Sequence, residues 1–253
     1  MGQTLDIPCW WLAANWPTPA RVRAGITTRV GGDSKHPYQG FNLALHVGDN
    51  PEAVVRNRSQ LRQGLHLPQE PCWLQQVHGK QVIFASDQIG QSADGSITSG
   101  PGHVCAVQVA DCVPLLLADT AGIQVAAIHA GWRGIAAGII DAAVSAMSAP
   151  AEQLLAWIGP CIGPDRYEVG SEVRAACLQA EPGATRCFES TTPDHWRADL
   201  RQLVSTGLRR RGIARIYGND NCVAENSRLF YSHRRDGRTG RMAALIWIEM
   251  DQP

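Results

Sequence analysis

Two apolar runs of the chain end in a histidine with glycine close behind. "QQVHG" closes on His78-Gly79, and "IHAGWRG" carries His129 ahead of Gly131 and Gly134. Between them, "ADCVP" places Asp111 and Cys112 beside a proline that breaks another apolar run, as strand prolines do at an edge, a start or a bulge. Two imidazoles and one thiolate suit Zn²⁺ and leave a fourth position for water or substrate, the mark of a catalytic zinc site. The three residues are too far apart in sequence for a local zinc knuckle, but suit ligands converging from different strands. Two other readings stay open. Cys112 and His129 form a nucleophile and its base, or they are a buried thiol and a hydrogen-bonded core histidine.

Copper also binds His₂Cys sets. Multicopper oxidases, however, build their clusters from His-x-His pairs. The histidines here stand at 36, 46, 66, 78, 103, 129, 195 and 233, with no two of them two apart. Copper is therefore the lesser expectation.

Three further stretches have the composition of a site. In "IHAGWRG" a strand gives way to a helix whose first N–H groups, with Arg133 beside them, suit a phosphate. "GGDSKHPYQGFNLALHVGDN" is a polar, glycine-rich stretch around Asn42 and His46, read as a substrate loop or as plain surface. "SRLFYSHRRDGRTGR" holds arginines at 228, 234, 235, 238 and 241. Such a cluster suits an anionic substrate or is a solvated face.

The elements that must position these groups alternate. "RVRAGITTRVGGDS" predicts a strand running into a turn at Gly31-Gly32. "GDNPEAVVRNRSQLRQGL" predicts a helix capped by Asn50, with Pro51 at its first position. "PCWLQQVHG" and "QVIFAS" predict a hairpin around Gly79-Lys80. From 104 to 129 the short apolar runs predict two or three adjacent buried strands, with a turn at 120–122. "GWRGIAAGIIDAAVSAM" predicts one well-covered helix, and "GSEVRAACLQA" a helix with Ser171 as N-cap. Asp199 to Arg211 forms another helix, while "LLAWIG", "IARIYG" and "MAALIWIE" form strands. No repeat or linker divides the chain, so residues 1–253 are expected to form one α+β domain with mixed sheets.

Composition narrows the class further. The chain has 253 residues, 44% of them apolar and 18% charged, ample for a buried core. Lys+Arg and Asp+Glu are equal at 23 each, so no net field recruits nucleic acid or an anionic membrane. No apolar run reaches the roughly 20 residues that span a bilayer. The N-terminus lacks a signal-peptide pattern, and Asp6 stands where myristoylation needs Ser or Thr. Eight cysteines without a C-x-x-C predict reduced thiols in a cytoplasmic protein.

Taken in order, "FNLALHVGDNPEAVVRNR", "WLQQVHG", "ADCVPLLLAD", "AAIHAGWRG", "WIGPCIGPDRYEVG" and "RRDGRTGRMAALIWI" resemble the YfiH or laccase-domain proteins. That family is also known as peptidoglycan editing factors and multicopper polyphenol oxidases. The likeness runs from about Gly25 to Ile248. It implies a layered α/β/β/α-like fold related to putative cysteine hydrolases, with zinc held by His78, Cys112 and His129. It implies phosphorolysis of adenosine, inosine and methylthioadenosine, with adenosine deamination as a second reaction. A separate family role is removal of L-serine from a peptidoglycan precursor. The chain departs from the family pattern at Val109, Cys222-Val223 and His233, none of them one of the three expected ligands.

The expectation is thus a zinc-dependent purine nucleoside enzyme acting on nucleoside and phosphate, as a monomer. Cys112, His129 and Asp111 would lie at the reacting centre, with Asp111 as acid or base, although on a regular strand it would face away from Cys112. Arg29, Asn42, His46, Arg56 and Arg133 would contact substrate. The rivals are an amidase with Cys112 as nucleophile and a non-catalytic protein whose zinc is closed by a fourth ligand, with Cys72, Cys105 and His103 as spare donors.

Overall fold

The computed structural model describes residues 8–85, 90–218 and 220–250. The chain opens with β1 (Trp11–Ala13) and β2 (Val22–Thr27), followed by a long loop and helix α1 (Pro51–Gly64). Five strands come next: β3 (Val82–Phe84), β4 (Gly95–Thr98), β5 (Val104–Val109), β6 (Val113–Asp119) and β7 (Val125–Ala130). Helices α2 (Trp132–Ala137) and α3 (Ile139–Ala146) lead to β8 (Leu154–Ile158). Then follow β9 (Glu168–Gly170), α4 (Ser171–Ala180), β10 (Phe188–Thr192) and β11 (His195–Ala198). The chain finishes with α5 (Leu200–Arg210), β12 (Arg215–Gly218), the single turn α6 (His233–Asp236) and β13 (Met242–Ile248).

Two mixed or antiparallel sheets face each other. One has the order β1-β2-β13-β5, the other β12-β8-β6-β7-β4-β3. Alternation along β13 shows how the layers form. Met242, Ala244, Ile246 and Ile248 enter the core between the sheets. Ala243, Leu245 and Trp247 point the other way and pack with Leu61 of α1. A strand buried on both faces needs an apolar residue at every position, which is why "MAALIWI" reads as a continuous run. On the far face of the six-stranded sheet lie α3 and α5. The result is the helix–sheet–sheet–helix layering that the resemblance implies. A small antiparallel sheet, β10-β11-β9, sits beside α4.

Local signals explain several boundaries. Asn50 caps α1 through its side chain, accepting from the N–H groups of Glu52 and Ala53. Asp199 caps α5 by accepting from Gln202 N. Other expectations are corrected. The hairpin at Gly79-Lys80 does not form: residues before it make only isolated bridges, and β3 pairs parallel with β4 instead. The predicted single helix after Gly131 is two, divided at Gly138, whose φ of 94° no continuing helix accepts. Ser171 is the first residue of α4 rather than its cap, which is Gly170. Finally β5 and β6, adjacent in sequence, belong to different sheets, and the chain turns between them at Asp111 with a φ of 101°. No disulfide joins the eight cysteines. No helix among the described residues is long and apolar enough to cross a membrane.

Candidate metal centre

His129 is the fifth residue of β7, paired in register with Pro114 of β6. Pro114 lies near the start of β6, where its missing N–H costs least. Cys112 stands just before β6, in the turn that carries the chain out of β5, and His78 sits in the loop before β3 with a φ of 59°. One imidazole nitrogen from each histidine and the Cys112 sulfur lie within 4.8 Å of one another. The Cys112 Sγ to His78 Nε2 distance is 3.9 Å. A tetrahedral metal with bonds of the usual Zn–N and Zn–S lengths keeps its donors about 3.3–3.8 Å apart, so the three residues fit such an ion with little movement. Among the described residues no fourth His, Cys, Asp or Glu donor joins the group.

The centre is held by Asp94, which sequence reasoning passed over. Its carboxylate is fully buried. Oδ1 accepts from the His129 ring nitrogen Nδ1 at 2.8 Å and from the His78 N–H at 2.9 Å. Oδ2 accepts from the N–H groups of Gly79 at 2.6 Å and Val77 at 3.2 Å. One carboxylate therefore orients one histidine through its ring and the other through its backbone. Donating Nδ1–H to Asp94 leaves His129 Nε2 with a lone pair for a metal. The only signal in the sequence was an Asp-Gly pair before a short strand, which turns share.

Electrostatics favour a charged pair when no ion is present. Burial alone would raise the Cys112 thiol, but the His129 charge and hydrogen bonds from both histidines outweigh it and bring it to about 6. Burial would lower His129, but the Cys112 thiolate and the Asp94 hydrogen bond outweigh that and lift it to about 9. Burial would raise Asp94, yet the bonds from His129, Gly79 and Val77 hold its carboxyl below the usual range. By contrast, burial pushes the thiols of Cys105 and Cys161 up to about 12.

Glycine is needed at position 131 for space. A Cβ there would stand 2.9 Å from Cys112 Sγ and 3.1 Å from His78 Cδ2. Gly131 also caps α2, and the next residues, Trp132 and Arg133, begin the helix. Arg133 is exposed, with its guanidinium over the Trp132 ring.

The other expected residues have varied placements. Asp111 is nearly buried and both its oxygens are occupied, Oδ1 by the Ser232 hydroxyl and Oδ2 by the Arg234 N–H, each at 2.6 Å. Its positive φ, not a regular strand, sets its direction. Asn42 is fully buried, donating to Asp49 and Ala44 O and accepting from the N–H groups of Ala44 and Arg241. It braces the loop that carries His46. His46 is exposed, and its pKa is lowered by burial of part of the ring and by the charges of Arg241, Arg58 and His129. Arg56 lies on the exposed side of α1, paired with Asp33 at 2.6 Å. Arg29 donates to Ser227 O and Gln39 O and lies over the Tyr231 ring.

Of the five clustered arginines, four are engaged by the protein. Arg234 binds the Glu168 carbonyl of β9, Arg235 binds loop carbonyls and also grips Asp236, Arg238 reaches the Tyr38 hydroxyl, and Arg241 binds Thr239 O and Gly240 O. Burial lowers the Arg241 pKa, against the attraction of the Cys112 and Asp111 charges. Burial and then the Cys112 charge raise the pKa of Tyr167. Arg241 and Tyr167 thus join the surroundings of the centre. Tyr167 lies within the stretch "WIGPCIGPDRYEVG", but nothing local marked it as a site residue.

The fold and the site define a layered α+β protein with a three-donor His–Cys–His centre backed by a buried carboxylate. The chain belongs to the family described as multi-copper polyphenol oxidoreductase laccase, whose model matches residues 23–249. It is 44% identical over 240 residues to a Pseudomonas aeruginosa protein named purine nucleoside phosphorylase, covering 94% of this chain and 98% of that one. The Escherichia coli protein named purine nucleoside phosphorylase YfiH is also 44% identical, over 239 residues, with the same coverage. Among solved structures, a Neisseria meningitidis protein of the DUF152 family superposes with a TM-score of 0.92 at 43% identity, covering 95% of this chain and all of that one. YlmD from Geobacillus stearothermophilus gives 0.91 at 32% identity, covering 95% and 96%.

Proposed function

We propose that the protein is a zinc-dependent purine nucleoside phosphorylase, cleaving adenosine, inosine and methylthioadenosine with phosphate, and that adenosine deamination is its second activity. The observation that carries this is the convergence of His78, Cys112 and His129 in a chain so similar to proteins named for that phosphorolysis. Bound by these residues, zinc would supply Lewis acidity in the pocket. The chain's own groups do the rest. Asp94 holds the tautomer of His129. Arg133 and the first N–H groups of α2 are assigned to phosphate, and His46 and Arg241 to the walls that receive the nucleoside. Stabilising the charge that separates as the glycosidic bond breaks is their principal contribution to rate. Asp111 is assigned to positioning, because both its oxygens are already occupied.

Cys112, His129 and Asp94 also stand in the order of a nucleophile, base and orienting acid, as the peptidoglycan amidase reading requires. That reading gives His78 no part, although the same Asp94 carboxylate anchors it. A closed structural zinc wants a fourth donor, which the described residues do not bring to the group. Cys72 and Cys105 instead face each other in a bridge within the core.

The test measures zinc content with phosphate-dependent release of hypoxanthine from inosine, before and after chelation. About one zinc per chain and loss of activity on chelation are expected. Full activity in metal-free protein, or in His78→Ala, would overturn the proposal.

A further inference from the structure

The loop after β2 and the segment before α6 line an open cavity of about 810 Å³, to which none of the three metal-binding candidates contributes. Its charged lining is of one sign. Arg29, Lys35 and Arg228 face it together with the imidazole of His36, and no carboxylate lines it. Asp33, next in sequence to this lining, is taken by Arg56.

Arg29 is fixed in advance. Its guanidinium bridges the two walls, donating to Gln39 O at 3.1 Å on one and Ser227 O at 3.3 Å on the other, with the Tyr231 ring beneath it. Three donor positions of the guanidinium remain for a ligand. Arg228 and the Lys35 ammonium make no hydrogen bond or ion pair among the described residues, unlike the other four clustered arginines. Gly31 and Gly32 also line the cavity, both with a φ of 76°. Their N–H groups donate to no protein partner among the described residues. Only glycine serves at 32, since a Cβ there would meet the Gly40 carbonyl oxygen at 2.6 Å. Backbone N–H groups beside a fixed guanidinium and two exposed cations are the components of an oxyanion site. Apart from Val30 and the imidazole of His36, the lining offers no aromatic or aliphatic wall to grip a base.

We infer that this cavity binds a phosphate group, held by Arg29, Arg228, Lys35 and the glycine N–H groups. Its volume lies in the range of small-molecule sites, larger than a single phosphate ion requires. The ligand class is therefore a phosphate ester or pyrophosphate recognised by its charged end. The same chemistry would also admit inorganic phosphate.

Calorimetric titration of the metal-loaded protein with pyrophosphate, ribose 1-phosphate and inorganic phosphate tests this. The comparison is with Lys35→Ala/Arg228→Ala, which changes two exposed side chains, and with Arg29→Lys. Pyrophosphate binding that weakens about tenfold or more in the double variant, and weakens with added salt, is expected. Arg29→Lys should bind more weakly than wild type, because the planar fork is lost while the charge is kept. Tighter binding of ribose 1-phosphate than of inorganic phosphate assigns the site to an ester; the reverse assigns it to the free ion. No binding of any of the three at millimolar concentration, or equal binding by wild type and double variant, overturns the inference. Neither result bears on hypoxanthine release, which is measured separately.

Discussion

His129 is joined to Asp94 twice. The ring Nδ1 meets the carboxylate Oδ1 at 2.8 Å, and the His129 N–H donates to the Asp94 backbone oxygen at 2.7 Å. Main chain and side chain are thus registered together, so the imidazole cannot rotate without breaking a buried hydrogen bond. The same carboxylate gathers three successive N–H groups from Val77 to Gly79.

The first prediction concerns that loop. Val77 and His78 are exposed, yet their N–H groups point inward. Amide exchange at 77–79 in native protein should be slow, like that of a strand, and should become fast in Asp94→Ala. Fast exchange in the wild type would show that the carboxylate does not hold the loop.

Asp94→Asn should weaken zinc about 10- to 100-fold, as loss of such supporting groups does. Competition with a coloured chelator measures this. The same variant has a stability signature in metal-free protein. The folded pKa of Asp94 lies below its ordinary value, so its contribution is fully present above about pH 4 and is lost as pH falls through the folded value. Urea denaturation over that window should show an acid-sensitive limb in the wild type that Asp94→Asn lacks. Identical limbs would refute the assignment.

Gly131→Ala should fold, since its backbone φ of −78° suits any residue, yet crowd the centre. We expect zinc affinity to fall at least about tenfold, equivalent to about 1.4 kcal/mol. An unchanged affinity would mean that Cys112 and His78 yield freely.

Cys112 in metal-free protein should be alkylated by iodoacetamide at pH 7, because its thiol lies near 6. The thiolate is the nucleophile, so the rate should be flat well above pH 6 and fall about tenfold per unit below it. Cys105 and Cys161, buried with thiols near 12, should stay unmodified. Zinc should protect Cys112. Equal rates with and without metal, read by peptide mass mapping, would remove the thiolate from the ligand set.

Gly138→Ala separates the two readings of the segment after Gly131. In one continuous helix, alanine would stabilise by about 1 kcal/mol. At a φ of 94° it should instead destabilise by about 1–2 kcal/mol, measured by urea denaturation at constant zinc.

What the sequence determined by itself was local or compositional. Apolar runs at strand length, the Asn50 cap, and the proline and glycine punctuation depend on neighbours a few residues away, so they could be read directly. The donor types were also legible, because only certain side chains bind metals and each stood at the end of an apolar run. Tertiary structure decided the rest. Asp94 acts through partners on two other segments, and an isolated Asp-Gly looks the same in any turn. Whether β5 pairs with β6 or turns into the other sheet depends on the backbone at Asp111, a residue that ordinarily avoids positive φ. The parallel pairing of β3 with β4 replaced a hairpin because strand partners are chosen by burial across the whole sheet, which no short window of sequence contains. The same is true of the clustered arginines: their spacing was visible, but only the fold shows that four bind the protein and that Arg228 faces a cavity.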